Sequence, residues 1–185
     1  VSLSGEWHAI TPEKQDVIEI TALDKKGGWL YYLASPDNAT QRYLHRTSLD
    51  GMEEQRLTPA SQPGTQSYEC SDDAAWAVHT YSSMTSPPVV DLIALPKHEP
   101  VRALKDQKAL KEKLAKLALP KTEFTQVDIG GGLMADAWIM KSADFDPQKK
   151  HPLLMHVYGE PAGQTVKDVW GGQRFLWHAL LAQQG

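Results

Sequence analysis

Tyr158 closes the stretch His151-Pro-Leu-Leu-Met-His-Val-Tyr-Gly-Glu-Pro161, in which Leu153, Leu154, Met155 and Val157 form an almost continuous apolar run. A run of that kind predicts a parallel strand covered on both faces. The run stops at Tyr158-Gly159, ahead of a segment with helical character. In α/β folds ligands bind at the carboxyl ends of strands, so a tyrosine at this point is placed for catalysis. It could equally be an aromatic plug whose hydroxyl finds a partner within the protein. The strand pattern alone leaves both readings open.

The other residues with chemical potential lack the spacing that chemistry requires. G-x-S-x-G is absent, and the one serine after Ser86 is Ser142, in a polar loop ahead of the apolar run rather than at a nucleophile elbow. Of the seven histidines, His8, His45, His79 and His98 fall in or near the amino-terminal β-rich part. His156 lies inside the expected strand and reads as a satisfied sheet histidine. None has the spacing of a catalytic base. There is no HExxH, CxxC or paired-histidine pattern, so the expectation is no metal and no cofactor. Gly130-Gly131-Gly132 lacks the G-x-G-x-x-G order, a following helix and a P-loop lysine, and reads as a hairpin turn. The acidic pairs Glu53-Glu54 and Asp72-Asp73 fall at turns and read as solvated.

Composition narrows the class further. Among 185 residues, 41% hydrophobic and 23% charged content is that of a globular chain. A net charge of −4 provides no footprint for nucleic acid or an anionic membrane. The single cysteine, Cys70, excludes an internal disulfide. No apolar run approaches the ~20 residues of a membrane span. The sequence begins at Val1 rather than methionine, so a leader removed by processing or design stays open.

The elements that must position Tyr158 come in two styles. Residues 1–105 read as all-β: strands at 16–20, 29–34, 42–48 and 55–58, then 66–70, 76–81, 89–95 and 101–104, bounded by turn chemistry such as Lys26-Gly27-Gly28 and Asp50-Gly51. The two sets correspond at an offset of about 47 residues, with Trp29 opposite Trp76 and Leu57 opposite Leu104. A four-strand unit with a period of ~40–50 residues predicts β-propeller blades. The rival is a pair of unrelated antiparallel meanders. Two blades cannot close a ring, so the expectation is the end of a longer propeller. Residues 106–120 carry apolar residues at helical spacing behind Asp106, a candidate N-cap, and end at Pro120. The lysines of that helix read as a solvated face. From 121 onward a different architecture begins: two strands, at 124–129 and 134–140, joined by the triple glycine, then the Tyr158 stretch. A terminal helix at 173–184 would pack with Leu176, Leu180 and Leu181 on one face and Phe175 and Trp177 adjacent.

Strand-Tyr-Gly-x-Pro, behind a propeller end and a linker helix, resembles the dipeptidyl-peptidase IV branch of the prolyl oligopeptidase family of serine peptidases. The likeness runs over nearly the whole chain. It includes Leu30-Tyr-Tyr-Leu33, Leu117-Ala-Leu-Pro120, Ala137-Trp-Ile-Met140 and, most specifically, His151–Pro161. Glu160 departs from it, standing where many members carry glycine or another small residue. The implied fold class is mixed: antiparallel four-stranded propeller blades over 1–105, a linker helix over 106–120, and the beginning of an α/β-hydrolase domain over 121–185. The resemblance implies that the Tyr158 hydroxyl is an oxyanion-hole donor. It also implies that the triad serine, aspartate and histidine lie beyond Gly185, and that the glutamates gripping the substrate amino terminus precede Val1. The parent enzyme would remove Xaa-Pro or Xaa-Ala dipeptides from peptide amino termini through an acyl-enzyme, and the fragment alone would be inactive. Its partners would be the peptide substrate, the remaining propeller and hydrolase segments, and a second copy in a homodimer. A periplasmic or secreted location is what the family favours, with a cytoplasmic one open. A prolyl oligopeptidase or acylaminoacyl-peptidase relative and a catalytically dead interaction protein stand as alternatives, with a lone two-blade module as the weakest.

Overall fold

The computed structural model describes residues 5–159 and 163–184. Val1, Glu160, Pro161 and Gly185 therefore lie outside the described residues, and with them the departure at Glu160. The chain divides into two compact units, Val1–Ser82 with Pro88–Asp106, and Ser83–Pro87 with Gln107–Gly185.

The first unit is built on two four-stranded sheets, each in chain order. One holds β1 (Val17–Asp24), β2 (Trp29–Ala34), β3 (Tyr43–Ser48) and β4 (Glu54–Arg56); the other holds β5 (Thr65–Cys70), β6 (Trp76–Ser83), β7 (Ser86–Ala94) and β8 (Glu99–Lys105). This is the repeated four-strand unit the 47-residue offset predicts, and it has the form of propeller blades. The turns are made by short polar side chains. Asp24 Oδ1 accepts from the N–H groups of Lys26 and Gly27, and Gly28 takes a positive φ of 76° to complete the β1–β2 turn. Ser48 and Asp50 form a turn that Ser71 and Asp73 repeat. In each, the serine Oγ donates to the aspartate Oδ1 (2.6 and 2.7 Å), which also accepts a backbone N–H two residues on. Asp73 is thus a turn-forming group, its carboxyl held below the usual range by the Ser71 hydroxyl, rather than a merely solvated one.

The two sheets share a core. Tyr31, Leu33, Leu44 and Leu57 from the first pack with Tyr68, Ala77 and Ile93 from the second. The 47-residue correspondence holds for the first two strands of each sheet and shortens over the last two; it also fails in burial, since Leu57 is inside this core, whereas Leu104 lies on β8, exposed along its whole length. β8 is the edge strand of its sheet.

The second unit contains α1 (Lys108–Leu114), β9 (Lys121–Asp128), β10 (Met134–Lys141) and α2 (Gly172–Gln183). β9 and β10 pair antiparallel through eight residue partners, Trp138 opposite Phe124 among them. Gly130, Gly131 and Gly132 all take positive φ, the left-handed backbone that side chains resist, which is why three glycines make this hairpin.

Three expectations are corrected here. The linker helix ends at Leu114 rather than at 119, and its N-cap is Gln107, at φ 57°, not Asp106. Beyond Leu114 the chain tightens into i→i−3 bonds, such as Leu117 N–H to Leu114 O at 2.9 Å. Pro120 disfavours helical backbone only at Leu119, so it bars a helix through 119 without itself setting the end at Leu114. In α2 the buried side chains are Phe175 and Ala179, one turn apart, while Leu180 and Trp177 are exposed. The buried stripe is centred on Phe175 and Ala179, with Leu176 and Leu181 half-buried at its sides. Finally, 151–159 is not a strand: it joins no β-ladder among the described residues, and Leu153, Leu154, Met155 and Val157 are 69–78% exposed. A parallel strand needs neighbours to satisfy its backbone and cover its side chains, and the described residues of this unit supply only the antiparallel β9–β10 pair.

Candidate functional site around Tyr158

The segment leading to Tyr158 is anchored at its start by a compact polar turn. His151 stacks on Phe145 with ring centroids 4.7 Å apart, and its Nε2–H donates to Asp146 O at 3.0 Å. Asp146 O also accepts the Lys149 N–H, and Asp146 Oδ1 accepts the Gln148 N–H, each at 3.0 Å. The aspartate at the centre of this loop therefore organises both arms of the turn, and the apolar run departs from a fixed point.

Tyr158 itself is half-exposed. Its ring lies directly on the backbone of Gly163: a Cβ added there would meet ring carbons Cδ1 at 2.6 Å and Cζ at 2.8 Å, with Cε1 closer still. No side chain fits at 163 while the ring holds this position. Five residues on, the buried carboxylate of Asp168 accepts the backbone N–H of Met84 at 2.7 Å. Between them, Gln164 Nε2–H donates to Val166 O at 3.1 Å. Trp170 then packs on Phe175, with centroids 5.1 Å apart, at the first turn of α2. Residues 162–169 read from sequence as a polar, flexible connection. Within the described part of it, Asp168 is a buried hydrogen-bond acceptor, a role that residue type and position do not reveal. Gly163 was equally silent, because its φ is ordinary and the demand on it is one of space.

His156, expected as a satisfied sheet histidine, is exposed on the unpaired segment. His178 of α2 lies beside Trp138, and its pKa is lowered chiefly by burial. In the first unit His45, His79 and His98 are buried. His79 Nε2–H donates to Gln66 Oε1 at 2.6 Å, and burial pushes its pKa down to about 4, with His98 adding to the effect. His98 is also lowered, chiefly by burial. It accepts from Tyr68 OH at 2.9 Å, which in turn bonds Thr58 Oγ1 at 2.8 Å, itself an acceptor for Leu44 N–H. With Nε2 of His98 unprotonated, the donors of this chain run in one direction from Leu44 to His98. These are structural histidines.

Glu54 qualifies another expectation. It is exposed, as expected, but it also has partners: it sits 2.5 Å from His45 Nδ1 and accepts from Tyr32 OH at 3.4 Å. The pair borders an open cleft of about 310 Å³ that also presents Lys14, Asp37 and Arg56. The cleft mixes both signs of charge and contains no nucleophile. Among the described residues, no group of three or more His, Cys, Asp or Glu side chains could hold a metal ion. No helix among them is long and apolar enough to cross a membrane. What the Tyr158 region offers chemically is one phenolic O–H, a neutral donor able to stabilise charge developing on an oxygen.

Comparison with known proteins gives one consistent answer. Residues 2–88 match the family described as the dipeptidyl peptidase IV N-terminal region. A probable dipeptidyl-aminopeptidase B of Emericella nidulans is 33% identical over 165 residues, covering 88% of this chain and 17% of that protein. A probable dipeptidyl peptidase 4 of the same organism is 29% identical over 181 residues, covering 96% of this chain and 22% of that protein. The crystal structure of Porphyromonas gingivalis dipeptidyl peptidase 4 superposes with a TM-score of 0.87 at 29% identity, covering 99% of this chain and 25% of that one. The chain thus spans roughly a fifth of the length of the curated relatives it matches.

Proposed function

The chain belongs to the dipeptidyl peptidase IV family, and on that premise we propose that it is part of a serine exopeptidase that removes Xaa-Pro or Xaa-Ala dipeptides from peptide amino termini. In this reading residues 121–185 begin an α/β-hydrolase domain, and the Tyr158 hydroxyl is one of its oxyanion-hole donors. The observation that carries the proposal is likeness to dipeptidyl peptidases running through the Tyr158 segment, with a match to 99% of the chain at a TM-score of 0.87.

The chemistry fits a phenol at that point. Attack of a serine hydroxyl on the scissile carbonyl places negative charge on its oxygen, which a donor aimed at that oxygen stabilises only as the charge appears. The serine's proton passes to a histidine, and the same histidine later returns a proton to the leaving amine. Those residues belong to the parent protein; the present sequence has no G-x-S-x-G. The acyl-enzyme is then hydrolysed by water, with the same donor serving the second tetrahedral intermediate.

An exopeptidase of this type must recognise a free amino terminus. The test is the release of p-nitroaniline from Gly-Pro-p-nitroanilide and from its N-acetylated form by the full-length parent enzyme. Cleavage of the free form alone supports the proposal. Preference for the blocked form would move the parent to the oligopeptidase or acylaminoacyl-peptidase reading, and cleavage of neither would favour an interaction protein.

A further inference from the structure

We propose that Asp168 and Gly163 hold the Tyr158 hydroxyl in position: Asp168 is a positioning residue that fixes the returning chain, and Gly163 is the surface on which the ring rests. The inference rests on the reading of Tyr158 as an oxyanion donor.

A donor contributes to catalysis only when held in its working geometry before charge appears. Tyr158 gains no such hold from sheet pairing, because residues 151–159 have no ladder partners among the described residues. The ring is half-exposed and turns about two side-chain torsions, so a surface must fix its plane. Gly163 supplies it. Ring carbons Cδ1 and Cζ lie 2.6 and 2.8 Å from where a Cβ at 163 would be, so any side chain there must displace the ring or the backbone beneath it.

The Gly163 backbone is located by the residues on its carboxyl side. Asp168 accepts the Met84 N–H at 2.7 Å in a buried setting, a short charge-assisted bond. The Gln164-to-Val166 bond, at 3.1 Å, tightens the intervening turn. Position thus passes from the Met84 backbone to Asp168, along 164–167 to Gly163, and so to the tyrosine ring.

The test uses the full-length parent enzyme with Gly-Pro-p-nitroanilide, comparing Asp168→Ala, Asp168→Asn and Gly163→Ala, each with and without Tyr158→Phe. Removing the acceptor in Asp168→Ala should lower kcat by about 10–100-fold with KM within about twofold, the size of a misplacement by roughly 1 Å. Asp168→Asn keeps an acceptor oxygen and should recover most of that loss. Gly163→Ala should lower kcat comparably. In the Tyr158→Phe background each change should cost less than about a further twofold, since all act through one hydroxyl. Equal losses in both backgrounds, a loss confined to KM, or no loss at all would overturn the inference. Should Asp168→Ala fail to fold, Gly163→Ala and Asp168→Asn carry the same comparison. Full activity in Tyr158→Phe itself would instead remove the underlying reading, and the inference with it.

Discussion

His79 and His98 lie with ring centroids 4.8 Å apart, and both are made less basic chiefly by burial. The consequence for stability has a definite sign. An unfolded chain takes up a proton on His79 as pH falls through about 6.5, whereas the folded chain resists until about 4. Stability from the neutral ring is therefore nearly complete above pH 6.5 and is lost between that value and 4, by roughly 3 kcal/mol. Urea unfolding at pH 7 and pH 4.5 should show this, and His79→Gln should flatten the difference; an unchanged slope would reassign the acid sensitivity. The His45–Glu54 pair, 2.5 Å apart, makes a second residue-scale prediction. Glu54→Ala leaves a buried imidazole N–H without its acceptor and should cost about 1–3 kcal/mol in the same measurement. At this scale the sequence was a partial guide. Tyr158 stood out because an apolar run ends on it. Glu54, Gly163 and Asp168 did not, because their importance lies in what approaches them from distant parts of the chain.

Element by element, legibility depends on how local the cause is. The β9–β10 hairpin was readable because three adjacent glycines at positive φ make its turn within the sequence itself. The four-strand repeats were readable for the same reason, each strand bounded by Asp, Asn, Ser and Gly turns. Alanine at Gly131, at φ 64°, should cost about 1 kcal/mol through backbone strain alone. α1 stops at Leu114, where i→i−3 bonds replace the α-helical pattern well before Pro120, and in α2 tertiary contact selects Phe175 and Ala179. The Tyr158 segment failed as a strand for a non-local reason: strand formation depends on a partner's backbone. Amide exchange should track this division. Protection should be high at 29–34 and 76–81, within paired sheets, and low at 153–158; strong protection at 153–158 would mean that the segment has found partners.

For the molecule as a whole, the blade-like four-stranded sheets expected from the sequence are present in the first unit, while the second unit holds an antiparallel hairpin and two helices. Four large apolar side chains, Leu153, Leu154, Met155 and Val157, stand 69–78% exposed on a segment whose backbone lacks ladder partners among the described residues. Such surfaces associate. The isolated chain should therefore sediment as concentration-dependent assemblies, and replacing Leu154 and Val157 with lysine should shift it towards monomer. It should also resist labelling by a fluorophosphonate, since it contains no nucleophile elbow; a labelled chain would contradict that. The most direct measurement remains the steady-state kinetics of the full-length enzyme and its Tyr158→Phe variant on an Xaa-Pro chromogenic amide. The account predicts that kcat falls by roughly 10²–10³-fold while KM changes little, as for loss of one oxyanion donor. An unaltered kcat would return Tyr158 to the role of an aromatic plug and contradict the central claim.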